Sequence, residues 1–390
     1  MMMQRLFQLM AEKSASDLYI SAGTAIHINI QGTVIPVNQT RMEPDTIKKM
    51  AQELMNEEQR EQIEQHLELN MSFVVPQVGN FRVNCFWQRG SMALVVRYIT
   101  DQIPQLESLG LPPGLAEVVM EKRGLLLVVG STGSGKSTTI AAMLDHRNSR
   151  IPGHILTIED PVEFLFRHKK SIVNQREVPR DTKSYHEALR NALRQAPDCI
   201  LIGEIRDRET MGMAINYALS GHLCLATLHA NNSYHALNRI INLYPREARP
   251  NLLQDLAVSL KCIISQRLIR GADGKRVPAV EVLMNTRYTA ELIEKGEVGE
   301  IKEAMEKSMT PGSQTFEQDL FRLIRENRVS MEEALANSDS PTNLSWLINN
   351  SDMTTTTPGA PPPPKKVEQT EPESESGASF SEFTLEVEDS

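Results

Sequence analysis

The sequence predicts an α/β protein: a mostly parallel sheet flanked by helices, preceded by a smaller α+β domain and followed by a disordered acidic tail. Three observations carry this. Residues 130–137 read G-S-T-G-S-G-K-S between the apolar run 125–129 and a helical start at 138–142. That is the G-x-x-x-x-G-K-[ST] phosphate loop in its strand–turn–helix setting. Short apolar segments then alternate with amphipathic ones to about residue 335, the pattern of parallel strands joined by right-handed helical crossovers. Beyond residue 349, threonine, proline, glutamate and serine runs leave too few apolar residues for a core.

Taken in order, residues 1–10 are too broken by polar side chains for a secretory leader and read as a short amphipathic helix. Period-2 stretches at 26–30 and 81–86 indicate half-exposed antiparallel strands, and the Glu-, Gln- and Lys-rich stretch 44–68 reads as helix. Residues 1–100 are therefore expected to form the small α+β domain. A linker is expected over 101–116, where Pro104, Pro112 and Pro113 cluster with glycines. Residues 117–349 should hold the parallel sheet, with strands at 125–129, 155–158, 200–202, Leu223–Leu228 and 279–283. Tyr185, Ala188, Leu189, Ala192 and Leu193 repeat at helical spacing and mark one crossover helix. The tail occupies 350–390, where Phe380, Phe383, Leu385 and Val387 break the polarity.

The glycines of the loop let successive main-chain N–H groups converge on one concavity, which suits polyphosphate oxygens. Candidate phosphate-binding residues are thus Ser131, Thr132, Gly133, Ser134, Gly135, Lys136, Ser137 and Thr138. Lys136 brings a positive charge to the β- and γ-phosphates, and the Ser137 hydroxyl suits Mg²⁺. The expected ligand is a nucleoside triphosphate.

Three further segments suit hydrolysis. Residues 158–163, I-E-D-P-V-E, place carboxylates after a strand, where one could orient and deprotonate a water; a solvated acidic turn would read the same way. In C-I-L-I-G-E, residues 199–204, an apolar strand ends in Glu204, the Walker B arrangement, with Glu where Asp is usual. His222 and His229 bracket the strand between them, either as sensors of the phosphate or as structural residues.

Composition narrows the classes. Nine acidic and two basic residues from Asp352 onward carry −7 of the net charge of −9, leaving about −2 for residues 1–351. That balance argues against a nucleic-acid translocase, whose track favours a basic channel. Cys85, Cys199, Cys224 and Cys262 are scattered without a C-x-x-C pair, as reduced core cysteines are. No apolar stretch approaches the roughly 20 residues that cross a bilayer.

The phosphate loop, the I-E-D-P-V-E box, the stretch D-C-I-L-I-G-E-I-R-D and the box G-H-L-C-L-A-T-L-H follow one another in a fixed order. In that order and spacing the chain resembles the secretion ATPase superfamily and, within it, the PilT/PilU-type retraction ATPases of type IV pili. The likeness runs from S-D-L-Y-I-S-A-G at 16–23 to Ser340-Pro341. The resemblance implies a PAS-like N-terminal domain, a RecA-like ATPase domain using ATP and Mg²⁺, and a cytoplasmic homohexameric ring at the inner face of the membrane. It implies Glu163 as catalytic base, Glu204 as Walker B acid and Mg²⁺ holder with Ser137, and His222 and His229 as sensors. It also implies Arg82 and Arg97 as arginines approaching the γ-phosphate, positions that would otherwise read as edge-strand surface charges. Partners implied are a PilT-type ATPase and an inner-membrane platform protein, with no nucleic acid and only indirect membrane contact.

Two departures favour the PilU branch. The A-I-R-N-L-I-R motif of PilT-like proteins has no match at 285–293, and the acidic tail lies outside the PilT pattern. Extension-type motors usually carry a longer N-terminal region and a tetracysteine zinc motif, and this chain has neither. An assembly ATPase of the same superfamily, and a largely non-catalytic ring partner, stay open as alternatives.

Overall fold

The structure is a computed structural model that describes residues 2–30, 32–99, 102–307 and 310–350. The expected acidic tail therefore lies, apart from Asn350, outside the described residues. Contacts divide the chain into two units, with the boundary between residues 101 and 102.

In the first unit, helix Met2–Glu12 buries Met3, Leu6, Phe7 and Met10, one stripe at 3- and 4-residue spacing. Strands β1 (Asp17–Ile20), β2 (His27–Ile30), β3 (Thr33–Pro36), β4 (Glu68–Val75), β5 (Gly79–Gln88) and β6 (Ser91–Ile99) form one antiparallel sheet in the order β3-β2-β1-β6-β5-β4. Helices Pro44–Leu54 and Glu57–His66 complete it; Asn56 caps the second in a capping box with Gln59. Phe7 stacks on Phe81 at 4.4 Å between ring centres inside this core.

The second unit is built on seven strands: β7 (Gly124–Val129), β8 (Gly153–Glu159), β9 (Ser171–Glu177), β10 (Cys199–Ile202), β11 (Leu223–Leu228), β12 (Leu260–Arg270) and β13 (Arg276–Met284), in the order β13-β12-β7-β11-β10-β8-β9. All neighbours are parallel except the β12–β13 hairpin. Helices cover both faces. Leu125, Leu127 and Val129 join one core while Leu126 and Val128 join the other, which is why β7 reads as an unbroken apolar run rather than an alternation.

The sequence reading had no strand at β9 or β12. β9 is a polar edge strand, and β12 ends in the mixed run Q-R-L-I-R. The crossover helix spans Tyr185–Ala192, but the chain tightens into a 3₁₀ turn at Leu193–Gln195, which leaves Leu193 exposed instead of on the buried face. All four cysteines are free and buried, and burial pushes Cys85, Cys199 and Cys262 each up to about 12. Among the described residues, no helix is long and apolar enough to cross a membrane.

Candidate active site

Because β7, β8, β10 and β11 run parallel, their carboxyl ends share one edge of the sheet. β7 opens into residues 130–135, and helix Lys136–Asn148 follows with Gly135 at its N-cap. Gly130, Gly133 and Gly135 all have positive φ. A Cβ on Gly130 would lie 2.4 Å from Ser134 Oγ and 2.5 Å from the Gln266 carbonyl, so only glycine fits there. A Cβ on Gly133 would meet nothing within 4 Å.

Lys136 is buried, and its ammonium donates to the carbonyls of Gly130 at 2.9 Å and Ser131 at 2.8 Å. Burial holds it below the usual lysine range, opposed by the carboxylates of Glu204 and then Glu163. Both predicted acids therefore act on the predicted lysine. Ser137 and Thr138 lie half-buried on the first turn of the helix, and Ser131, Thr132 and Gly133 are exposed. Ser134 is buried with no partner for its hydroxyl.

Glu204 follows β10 by two residues. Its turn is fixed on both sides: Gly203 N–H donates to Ile158 O at 2.7 Å, and Ile205 N–H to Thr227 O at 2.9 Å. Arg206 donates to Glu204 Oε2 at 2.7 Å through Nε, and His229 Nε2 lies 3.1 Å from Oε1. The Glu204 carboxylate raises the Arg206 guanidinium above the usual arginine range. Arg206 was not singled out from sequence; its signal was a cation two residues after a strand-ending acid.

β8 ends at Glu159, and Glu163 is exposed on the loop after it. Burial pushes Glu159 up to about 7, while hydrogen bonds from Thr157 and Gln175 oppose the shift. His229 ends β11 at the same edge as these acids, and Arg239 donates to its carbonyl at 2.7 Å. His222 does not join them. It precedes the first residue of β11, at the opposite edge, with Nδ1 3.3 Å from Tyr217 O. Six strand residues separate the two histidines by about 20 Å, so His229 alone of the pair lies at the edge that holds Lys136 and Glu204.

Arg82 and Arg97 belong to the first unit, directly opposite each other on β5 and β6. Arg97 Nε lies 2.8 Å from Asp17 Oδ1, with the Arg97 side chain 68% exposed.

Gln266, on β12, was also missed. Its Oε1 accepts from Thr139 Oγ1 at 2.7 Å, which ties the phosphate-loop helix to the neighbouring strand. A cleft of about 850 Å³ runs beside the loop between Ser131–Ser134, Asn231 and the residues from Gln266 to Arg276, room enough for a nucleoside. Among the described residues, no three His, Cys, Asp or Glu side chains cluster as a metal site.

The model of the type II/IV secretion system protein family matches residues 1–335. The type IV pilus ATPase PilU of Pseudomonas aeruginosa is 45% identical over 346 residues, covering 88% of this chain and 91% of that protein. The type IV pilus retraction ATPase PilT of the same organism is 40% identical, over 85% and 97%. A crystal structure of the pilus retraction motor PilT with bound ADP superposes with a TM-score of 0.82 at 39% identity, covering 88% of this chain and 98% of that one.

Proposed function

This chain belongs to the type II/IV secretion system protein family, and on that premise we propose that it is an ATP hydrolase of the type IV pilus machine that powers or assists retraction. The observation that carries the reading is the convergence of Lys136, Glu204, Glu163 and His229 at one sheet edge. The chain lies nearer the PilU branch than the PilT branch, by identity and by its mismatch at 285–293.

The main-chain N–H groups of the loop and the Lys136 ammonium hold the β- and γ-phosphates. Lys136 already donates to carbonyls of its own loop, so its charge is aimed where phosphate oxygens would take those bonds over. Glu163 accepts a proton from the attacking water, whose oxygen bonds to the γ-phosphorus as the bond to the β–γ bridging oxygen breaks; ADP and inorganic phosphate leave. Ser137 and Glu204 would hold Mg²⁺, which would supply charge neutralisation at the phosphate oxygens. His229 reports on the state of Glu204; the reading of the N-terminal unit as PAS-like, and of Arg82 and Arg97 as γ-phosphate arginines, rests on the family resemblance alone.

The assembly read for this chain is a cytoplasmic homohexameric ring engaging a PilT-type ATPase and an inner-membrane platform protein, with no nucleic-acid partner. The test is phosphate release by the purified chain, alone and with PilT, together with pilus traction force in cells carrying Lys136→Ala. ATP-dependent release and weakened traction are expected. No nucleotide binding with Mg²⁺ present would overturn the reading.

A further inference from the structure

The loop that presents Glu163 has no regular structure from Pro161 to Lys170, yet its main chain is pinned on both sides of Glu163. Gln175 and Glu177 alternate along β9 and so share one face of that strand. The Gln175 amide donates to Phe164 O at 2.9 Å and to Glu159 Oε1 at 3.3 Å, and its oxygen accepts from Phe166 N–H at 2.9 Å. Glu177 Oε2 accepts from Val162 N–H at 3.1 Å, and Glu177 is itself buried. Glu159 accepts from Thr157 Oγ1 at 2.6 Å and also from the Glu163 main-chain N–H. Positions 162, 163, 164 and 166 are thereby each held by a side chain outside the loop.

We infer that Gln175, supported by Glu177, is a positioning residue for hydrolysis: its amide fixes the loop so that the exposed Glu163 carboxylate is delivered to the phosphate site. This rests on reading Glu163 as the base. The clamp is specific to an amide. It needs one acceptor, for Phe166 N–H, and two donors, for Phe164 O and Glu159, and among neutral side chains of this length glutamine alone supplies both. A carboxylate at 175 would keep the acceptor, lose both donors and face Glu159 with a like charge. Burial already pushes Glu159 up to about 7, with Glu163 adding to the rise, so the protonation of a neighbouring carboxyl would matter in the neutral range.

The test uses the full chain with Gln175→Ala, Gln175→Glu, Glu177→Ala and Glu163→Gln, each checked for folding by circular dichroism. Gln175→Ala is expected to lower kcat by about 10- to 100-fold, since a displacement of about 1 Å in a reacting group costs that much. KM and ATP affinity should stay within about twofold, because the loop does not hold the phosphates. Gln175→Glu preserves side-chain volume and guards against misfolding. Its turnover relative to the parent should rise as pH falls from 8 to 6, where the protonated carboxyl regains a donor. A merely structural role would leave that ratio flat. Parental kcat in Gln175→Ala and Glu177→Ala, with Glu163→Gln inactive, overturns the clamp and leaves Glu163 as base. Parental kcat in Glu163→Gln overturns both.

Discussion

The two oxygens of Glu204 are divided between two partners: Oε1 faces His229 Nε2 at 3.1 Å, and Oε2 takes the Arg206 guanidinium at 2.6 Å. The acid at the end of β10 is thus connected to β11 on one side and to the start of helix Arg208–Leu219 on the other. Glu204→Gln keeps the volume but removes the charge both partners need. ATP binding should persist while turnover falls by roughly 10²-fold, the scale of losing a charged group that orients water or metal. Phosphate release beside nucleotide titration checks this, and unchanged turnover would remove Glu204 from the site.

The loop glycines separate folding from binding. Gly130→Ala places a methyl against the Ser134 hydroxyl and against the Gln266 main-chain carbonyl, which is held in β12 and cannot withdraw. It should destabilise the second unit by about 1–3 kcal/mol through strain alone. Gly133→Ala meets no neighbour but must hold φ +77 in the loop that binds phosphate. Its folding cost should be about 1 kcal/mol, with most ATP affinity lost. Denaturant unfolding and nucleotide titration on both variants give the contrast; equal effects on binding and stability would contradict the loop geometry.

Glu159 gives the second unit a pH dependence of unusual sign. Its carboxyl is raised by burial from 4.5 to about 7 in the folded state. Below pH 4.5 it is protonated folded and unfolded, and contributes no difference. Between 4.5 and 7 the unfolded chain releases the proton first, so stability falls as pH rises through that window and levels off above it. Each pKa unit is worth about 1.4 kcal/mol, so a loss of about 3 kcal/mol is expected. Glu281 and Asp319 are also raised by burial, so the measurement is the difference between the parent and Glu159→Gln across pH 4.5–7.5. A flat difference would place Glu159 in water.

Legibility in the sequence followed locality. The phosphate loop and the Glu204 turn are short contiguous patterns, each a buried strand running into polar residues, and such patterns survive without knowledge of neighbours. Gln175, Glu177 and Gln266 were invisible because their partners lie 11, 15 and 127 residues away, and an amide carries no periodicity. The separation of His222 from His229 was legible, because histidines bracketing a single strand fall at opposite ends of it. Leu193 shows the limit of periodicity at helix ends, where a 3₁₀ turn rotates the last apolar position to the surface.

Arg267 joins the His229 loop to the C-terminal helices. Its guanidinium donates to Asn337 O at 2.5 Å and Asn231 O at 3.2 Å, pairs with Asp339, and lies 4.0 Å over the Phe316 ring. Asn232 Nδ2 meets the same Asp339 at 2.8 Å. Arg267→Met removes charge-assisted bonds worth about 2 kcal/mol together and leaves Asp339 to Asn232 alone. Arg267→Lys would keep the charge but not the planar fork or the stack on Phe316. Both should destabilise the second unit, methionine more than lysine. Because Asn231 lies two residues from His229, both should also lower turnover. A double-mutant cycle with Asp339→Asn isolates the pair, and a coupling near zero would show that Asn337 and the ring, rather than the ion pair, hold the loop.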